Sequence, residues 1–464
     1  MLEAVNNLLW GKLLIAVLVG LGIWFTLVSR FVQFRYFTHM FSVLKQGMKH
    51  HQGQVSSFQA FAVTIAGRVG AGNIAGVAVA ITLGGPGAIF WMWLVGLIGM
   101  ATSFFECTLA QVYKQIQPDG SVRGGPAYYM HKGLNSRWMG IAYSGLLAIS
   151  VGVALVGLQA FTVASSFYET FQVPTIYSGG VLAGLTLIVI FGGIRRIAEV
   201  AEWIVPIMAL GYLLLGLIVI GTNIERIPNV LMVIVESAFG LQQAVGGGVG
   251  AAILMGVQRG LFSNEAGLGH AANVAAVADV KHPVVQGIVQ SFSVFIDTIV
   301  LCSVTAFIIL LSDSYVENSS LGGITLTQIA LADHIGGWSG VFVTLALTLF
   351  AFTTILYLYY LGENGLNFFT QQNKVLLNLY RLIIFSQILW GSVQELTTIF
   401  ALADLAVGLL ALGNLIALGF LWPVGMRVLR DYQKQLNSGI SEPQFDKASF
   451  KELKLDQKAW NKPK

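Results

Sequence analysis

Apolar residues fall in long runs along this 464-residue chain, separated by short polar loops. Most runs approach or exceed roughly 20 residues, the length a helix needs to cross a hydrocarbon core. The pattern predicts eleven spans, at about 9–28, 60–82, 88–113, 139–167, 176–193, 200–221, 230–261, 284–311, 338–362, 378–394 and 397–425. Two of them are interrupted. Residues 64–86 read TIAGRVGAGNIAGVAVAITLGGP, and the first half holds Gly67, Gly70, Gly72 and Gly76 with Arg68 and Asn73. Irregular backbone survives at membrane depth only where it faces protein or a water-filled cavity. Residues 70–73 are therefore expected to be the unwound centre of a discontinuous helix. A straight helix with a small-residue packing face is the alternative.

Residues 236–250, ESAFGLQQAVGGGVG, form the second interruption, with Gly246, Gly247 and Gly248 in a row just after Gln242 and Gln243. Counted from the second span, the broken spans are the first and the sixth. Five spans separate their starts, and an odd number inverts the orientation. Glycine-interrupted spans at matching places in two halves point to an inverted repeat with a binding site between the breaks.

Composition narrows the class. Mean hydropathy is +0.73 and only 10% of residues are charged, which excludes an ordinary soluble protein. Cys107 and Cys302 both lie in apolar runs, so no disulfide framework is indicated. No GxxxxGK[ST] occurs, so nothing suggests ATP-driven work. The histidines fall mostly at loops or span ends, which argues against a haem or metal site in the membrane.

The net charge of +4 matters through its placement. Arg30, Arg35, Lys45 and Lys49 share one side with Lys114, Arg123, Lys132, Arg137, Arg195, Arg196, Lys281, Lys374 and Arg381. The loop 312–333, on the other side, has Asp313, Glu317 and Asp333 and no Lys or Arg. The positive-inside rule then puts the basic loops and the C-terminus in the cytoplasm and the N-terminus outside. The first run lacks a basic leader and a small-residue cleavage site, so it reads as an uncleaved span. The tail 427–464 is polar and mixed in charge, and is expected to start helical and continue disordered.

Six stretches in order, RVGAGNIAGVA (68–78), LGGPGAIFWMW (83–93), RGGPAYYM (123–130), RRIAEVAEWIVP (195–206), RGLFSNEAGLG (259–269) and FAFTTIL (350–356), resemble the alanine-or-glycine:cation symporter family of bacteria and archaea. The resemblance covers nearly the whole chain. It implies an all-α integral membrane protein of about eleven transmembrane helices, a LeuT-type five-plus-five inverted repeat with one extra N-terminal helix. In this chain that means a transmembrane domain over 1–426: the extra helix at about 9–28, the repeats at about 58–222 and 228–426, and the tail at 427–464. The activity implied is sodium-coupled uptake of a small neutral amino acid, alanine or glycine, across a bacterial or archaeal inner membrane. It implies no enzyme chemistry and no cofactor beyond sodium as the coupling ion. The partners implied are the amino acid, sodium and the lipid bilayer, and no nucleic acid. After FAFTTIL the family continues with Gly-Trp, whereas this chain has Tyr357 and Leu358, which leaves the exact substrate open.

A zwitterion needs partners for a carboxylate and an ammonium. An unwound helix offers free N–H groups at the start of its second half, backed by the helix dipole. Gly70, Ala71 and Gly72 are expected to present such groups, Asn73 can donate and accept, and Gly246, Gly247 and Gly248 would face them. Gln159 is a lone amide in an apolar span: the resemblance puts it at the substrate, and a packing hydrogen bond is the alternative. The resemblance puts Leu358 at the pocket wall. Superposing GAGN on the equivalent motif of LeuT-type transporters gives a sodium set of the Ala66 and Val69 carbonyls with the Phe350 carbonyl and the hydroxyls of Thr353 and Thr354. Hard oxygens of this kind suit a dehydrated cation. Without the resemblance, back-bonding of the two threonines to their own helix is the simpler reading. Arg68, Glu106, Glu236, Arg259, Glu265, Asp297 and Asp404 fall within or at the ends of spans, where charges are paired or face a cavity. Arg68 and Glu265 are expected in cytoplasmic-side networks. Among rival functions a channel lacks the logic of two inverted broken helices. A proton-coupled carrier would need a titratable group that the proposed ion set does not contain.

Overall fold

The structure is a computed structural model and describes Asn6 and residues 8–48, 55–240, 248–317, 323–370, 373–456 and 458–460. It is almost wholly helical. An apolar helix α1 (Leu14–Val28) leads to an amphipathic α2 (Phe37–Gly47). Then come α3 (Ser57–Arg68) and α4 (Gly72–Gly84), which meet at a bend of 48°. The first half continues with α5 (Gly87–Val112), α6 (Arg137–Phe171), α7 (Thr175–Ile190) and α8 (Gly193–Thr222). The second holds α9 (Ile227–Ala238), α10 (Gly248–Asn264), α11 (His270–Ala275), α12 (Pro283–Leu310), α13 (Gly323–Ile335), α14 (Trp338–Thr370), α15 (Lys374–Ser392) and α16 (Leu396–Asn437). A two-residue hairpin, β1 (Gln115–Ile116) antiparallel to β2 (Val122–Arg123), interrupts the loop after α5.

Among the described residues seven helices are long and apolar enough to cross a membrane, and the bent pair α3–α4 makes eight. Two shorter apolar helices, α1 and α7, fall below that length. The sequence pattern predicts one broken span over 230–261. The structure has two separate helices there, α9 and α10, with 241–247 outside the described residues.

Helix α8 shows why periodicity is weak evidence in such a chain. Trp203, Ile207, Leu210 and Leu214 form an exposed apolar stripe, while Ala201, Val205, Met208 and Tyr212 are buried on the opposite face. Both faces are apolar because one meets lipid and the other meets helices. Polarity is reversed from a soluble fold: Arg68, Asn73, Glu106 and Asp297 are all within 2% of full burial. They cluster around α5, which packs against α10, α12 and α1.

Local rules explain the start of the broken helix. Ser56 and Gln59 form a reciprocal capping box, each side chain taking the other's backbone N–H at 3.0 Å. The helix runs to Arg68 and stops because Val69 turns extended (φ −81°, ψ 94°).

The tail differs from the expectation of disorder. Helix α16 runs to Asn437, and beyond it Phe445, Phe450 and Trp460 are buried. The Phe445 N–H donates to the Lys281 carbonyl at 2.9 Å, and the Phe445 ring stands edge-on to His282. Lys114 Nζ sits 4.0 Å from the centre of the Trp460 ring. Three spaced aromatics thus anchor a segment whose average composition looks too polar to fold.

Candidate functional site

At the break between α3 and α4, side chains take over freed backbone groups, one from α4 itself and one from α6. The Ala71 N–H donates to Gln159 Oε1 at 3.2 Å, and the Gly70 N–H donates to Asn73 Oδ1 at 3.0 Å. Glycine is required by contact here. A Cβ on Gly70 would lie 2.8 Å from Thr354 Oγ1, and one on Gly67 would lie 2.2 Å from the Tyr357 ring. So α14 approaches the break through Gly67 and Gly70.

A cavity of about 20 Å³ opens there, lined in part by Gly70, Gly72, Gln159, Thr354 and Leu358. These are residues that the sequence singles out, brought together from α4, α6 and α14. The rest of the wall includes Leu155, Phe262, Glu265, Leu268 and Val407, which sequence reasoning did not assign to a wall. The volume suits about one water, so an amino acid enters only if the walls part.

Thr354 is the pivot of the expected cation set. Its hydroxyl lies 2.7 Å from the Ala66 carbonyl oxygen, 2.9 Å from that of Phe350 and 3.5 Å from that of Val69. Thr353 behaves differently. Its hydroxyl bonds back to the Leu349 and Phe350 carbonyls at 3.1 and 3.0 Å. Adjacent helical residues point about 100° apart, so one faces the break and the other its own turn.

Asn73 is turned from the cavity. Its amide donates to Asp297 Oδ1 at 2.7 Å, while Ser263 and Thr298 donate to Asp297 Oδ2 at 2.8 and 2.7 Å. Ala71 is likewise absent from the cavity wall. In this structure Asn73 ties the break to α12, and the Ala71 N–H is bonded to Gln159.

The second break expected from the sequence, at the glycine run, lies mostly outside the described residues, between α9 and α10. Gly246 and Gly247 lie outside the described residues, as do Gln242 and Gln243, and Gly248 is exposed at the start of α10, away from the cavity. The break that reaches the cavity is at 264–269, between α10 and α11. Glu265, Gly267 and Gly269 have φ of +54°, +92° and +81° there. The sequence signal was NEAGLG, a polar pair followed by alternate glycines, and the triple glycine drew attention from it. The Gly267 and Gly269 N–H groups donate to Glu106 Oε2 at 3.2 and 3.1 Å, and Asn414 adds a third bond at 3.1 Å.

The other buried charges have partners. Arg68 donates to the Gln290 carbonyl and to Ser103 Oγ, both at 3.0 Å, and to the Ser293 hydroxyl. It lines the cavity together with Glu265. Glu265 accepts from the Tyr357 hydroxyl at 2.8 Å and meets His270 Nδ1 at 2.7 Å. Arg259 Nη2 bonds both Asp404 oxygens at 2.5 and 2.6 Å, one turn from the wall residues Phe262 and Val407. Arg123 pairs with Glu363 at 2.9 Å.

The bend between α3 and α4 and the turn between α10 and α11 both reach this small cavity. Residues 1–447 match the profile of the sodium:alanine symporter family. The chain belongs to this family.

Relatives agree in length and class. The chain is 45% identical to the probable sodium/glutamine symporter GlnT of Bacillus subtilis, over 96% of this chain and 93% of that one. It is also 45% identical to the amino-acid carrier protein AlsT of the same organism, over 97% and 95%. The sodium/proton-dependent alanine carrier protein of Bacillus sp. (strain PS3) is 36% identical over 87% and 93%. Among solved structures, MhsT in complex with L-phenylalanine superposes with a TM-score of 0.57 at 11% identity, over 82% of this chain and 99% of that one. That likeness concerns the fold, which is of the LeuT type. A member of the sodium:alanine symporter family is a membrane transporter and not an enzyme.

Proposed function

We propose that this symporter carries a small neutral amino acid, alanine or glycine, into the cell with sodium by alternating access. The observation that carries the reading is Thr354: one hydroxyl faces two carbonyls of the break and one of its own helix, and lines the same cavity as Gly70, Gln159 and Leu358. The amino acid lies against Gly70, Gly72, Gln159 and Leu358. Sodium is held by the Ala66, Val69 and Phe350 carbonyls with Thr354, and Thr353 joins only after turning from its own helix. Sodium and the amino acid are both cargo.

In this reading eleven helices cross the membrane, with α1 outside the two repeats, and the basic loops and C-terminus are cytoplasmic. The test is uptake of labelled alanine, glycine, serine and glutamine into proteoliposomes, with and without an inward sodium gradient. Sodium-driven accumulation of the small residues supports the reading, and uptake indifferent to sodium refutes it.

A second reading has a specific observation behind it. Glu265 and His270 put titratable groups beside the cavity, which the ion set lacks, and one relative is named for sodium and proton dependence. A proton gradient that drives uptake without sodium would favour it.

A further inference from the structure

Only two of the twelve residues lining the central cavity carry charge, Arg68 and Glu265. Their situations differ. The two terminal nitrogens of Arg68 are committed to Gln290, Ser293 and Ser103, all neutral acceptors on α5 and α12. Glu265 is 6% exposed, and its two oxygens bond only to the Tyr357 hydroxyl and the His270 ring. A carboxylate offers about four acceptor positions, so about half remain open. Among the described residues Glu265 has no Lys or Arg within ion-pair distance. A buried carboxylate with no permanent cation is costly, and at membrane depth such groups are kept for function.

Two further observations direct this carboxylate to the cavity. The Tyr357 ring that holds it lies against Gly67, another wall residue, where any Cβ would come within 2.2 Å of the ring. And Glu265 sits in the left-handed backbone region (φ +54°), the conformation L side chains adopt at a cost. Strain of this kind is retained where the position of one side chain matters.

We propose that the Glu265 carboxylate receives the α-ammonium group of the transported amino acid, with Tyr357 and His270 as positioning residues. The inference rests on the reading of the cavity as an amino-acid site and deepens it. It makes the free amine an obligatory feature of the substrate. 2-Hydroxy acids and simple carboxylic acids of the same size, which lack the cation, are rejected.

The test compares L-alanine with L-lactate and propionate as competitors of labelled alanine in proteoliposomes. Wild type should reject lactate by roughly a thousandfold or more, as sites built around a substrate's polar group do. Glu265→Gln should raise the alanine half-saturation about ten- to hundredfold and leave lactate competition where it was, so that discrimination falls by the same factor. A purely structural role would lower the maximal rate and leave the alanine-to-lactate ratio alone. Glu265→Asp keeps the charge and withdraws it by one methylene, so the ratio should fall severalfold even if the Gln variant does not reach the membrane. Tyr357→Phe should raise the alanine half-saturation while lactate stays unchanged. An unchanged ratio in Glu265→Gln, or in Glu265→Asp where that is the variant recovered, overturns the proposal. Absence of any amino-acid uptake by wild type would instead overturn the reading on which it rests.

Discussion

The side-chain amide of Asn73 reaches 2.7 Å to the carboxylate of Asp297 and, through its oxygen, takes the N–H of Gly70 at 3.0 Å. One asparagine thereby connects the broken helix to α12. Asp297→Ala would strip Asn73, Ser263 and Thr298 of a shared acceptor, and each buried donor left unpaired costs about 1–3 kcal/mol. The expected result is a clearly lower unfolding temperature in detergent and loss of transport. Asp297→Asn keeps one oxygen and should lose less. An unchanged melting temperature in the alanine variant would show that the network adds nothing to stability.

Thr354→Ala removes one oxygen from the proposed cation site without leaving a buried charge. A loss of about 1.5–3 kcal/mol, as for a hydrogen bond to a charged group, corresponds to a roughly ten- to hundredfold higher sodium half-saturation. Because coupling is reciprocal, apparent amino-acid affinity at low sodium should fall too and recover at high sodium. Thr354→Ser should stay close to wild type. Thr353→Ala should have a smaller effect, since its hydroxyl bonds its own helix. Equal sodium curves for Thr354→Ala and wild type would place the ion elsewhere.

Leu358 is 2% exposed and lines the cavity. Leu358→Trp should shift preference among glycine, alanine and serine and leave sodium dependence intact. A methylene in an apolar pocket is worth about 1–3 kcal/mol, so shifts of roughly ten- to a hundredfold are in range. Competition assays with the three amino acids read this directly, and an unaltered order of preference counts against a wall position.

Topology can be checked with an impermeant thiol reagent, because Cys107 and Cys302 are buried. A cysteine at Asp313 should label from outside in intact cells, and one at Asp119 should label only after the membrane is opened. The reverse pattern would invert the assignment.

Lys114 lies just beyond α5, and burial pushes its ammonium down to about 8, with the Asp279 carboxylate opposing the shift. Where Trp460 supplies that cover, release of the tail moves Lys114 back toward the ordinary lysine value of about 10.4. Between these two values the released form binds the extra proton, so docking of the tail strengthens as pH rises through that window. Tryptic cleavage at Lys447, Lys451 and Lys454, referred to a free peptide of the same sequence, should therefore be slower at about pH 9.5 than at about pH 7.5. Equal or faster cleavage at the higher pH would count against docking over Lys114.

The first break could be read from sequence because its cause is local: Gly67 and Gly70 stand beside Arg68 and Asn73 in an otherwise apolar run. Thr354, Gln159 and Leu358 were reached through family resemblance, since nothing in their own helices separates a ligand from a packing residue. The break at 264–269 was not singled out. Glycine density marks where a helix can be interrupted, whereas the interruption at Glu265 depends on a carboxylate from α5, far away in the chain. Partners of buried charges were illegible for the same reason. The tail was misread because composition averages over 38 residues hide three aromatics, Phe445, Phe450 and Trp460, two of which meet residues made much earlier, His282 and Lys114.

Glu106 gives the two halves of the molecule a common fastening. It belongs to α5, in the first half, and the backbone donors it holds, Gly267 and Gly269, belong to the break in the second. Among the described residues its other oxygen, also buried, has no hydrogen-bond partner. Any displacement of this break relative to α5 strips a carboxylate and two backbone N–H groups at once, in surroundings that offer little water to replace them. Intermediate positions are therefore high in energy, and the break has discrete resting places separated by a barrier. Motion at this point proceeds by jumps, and the rate of the transport cycle should rise steeply with temperature wherever that jump is the slowest step.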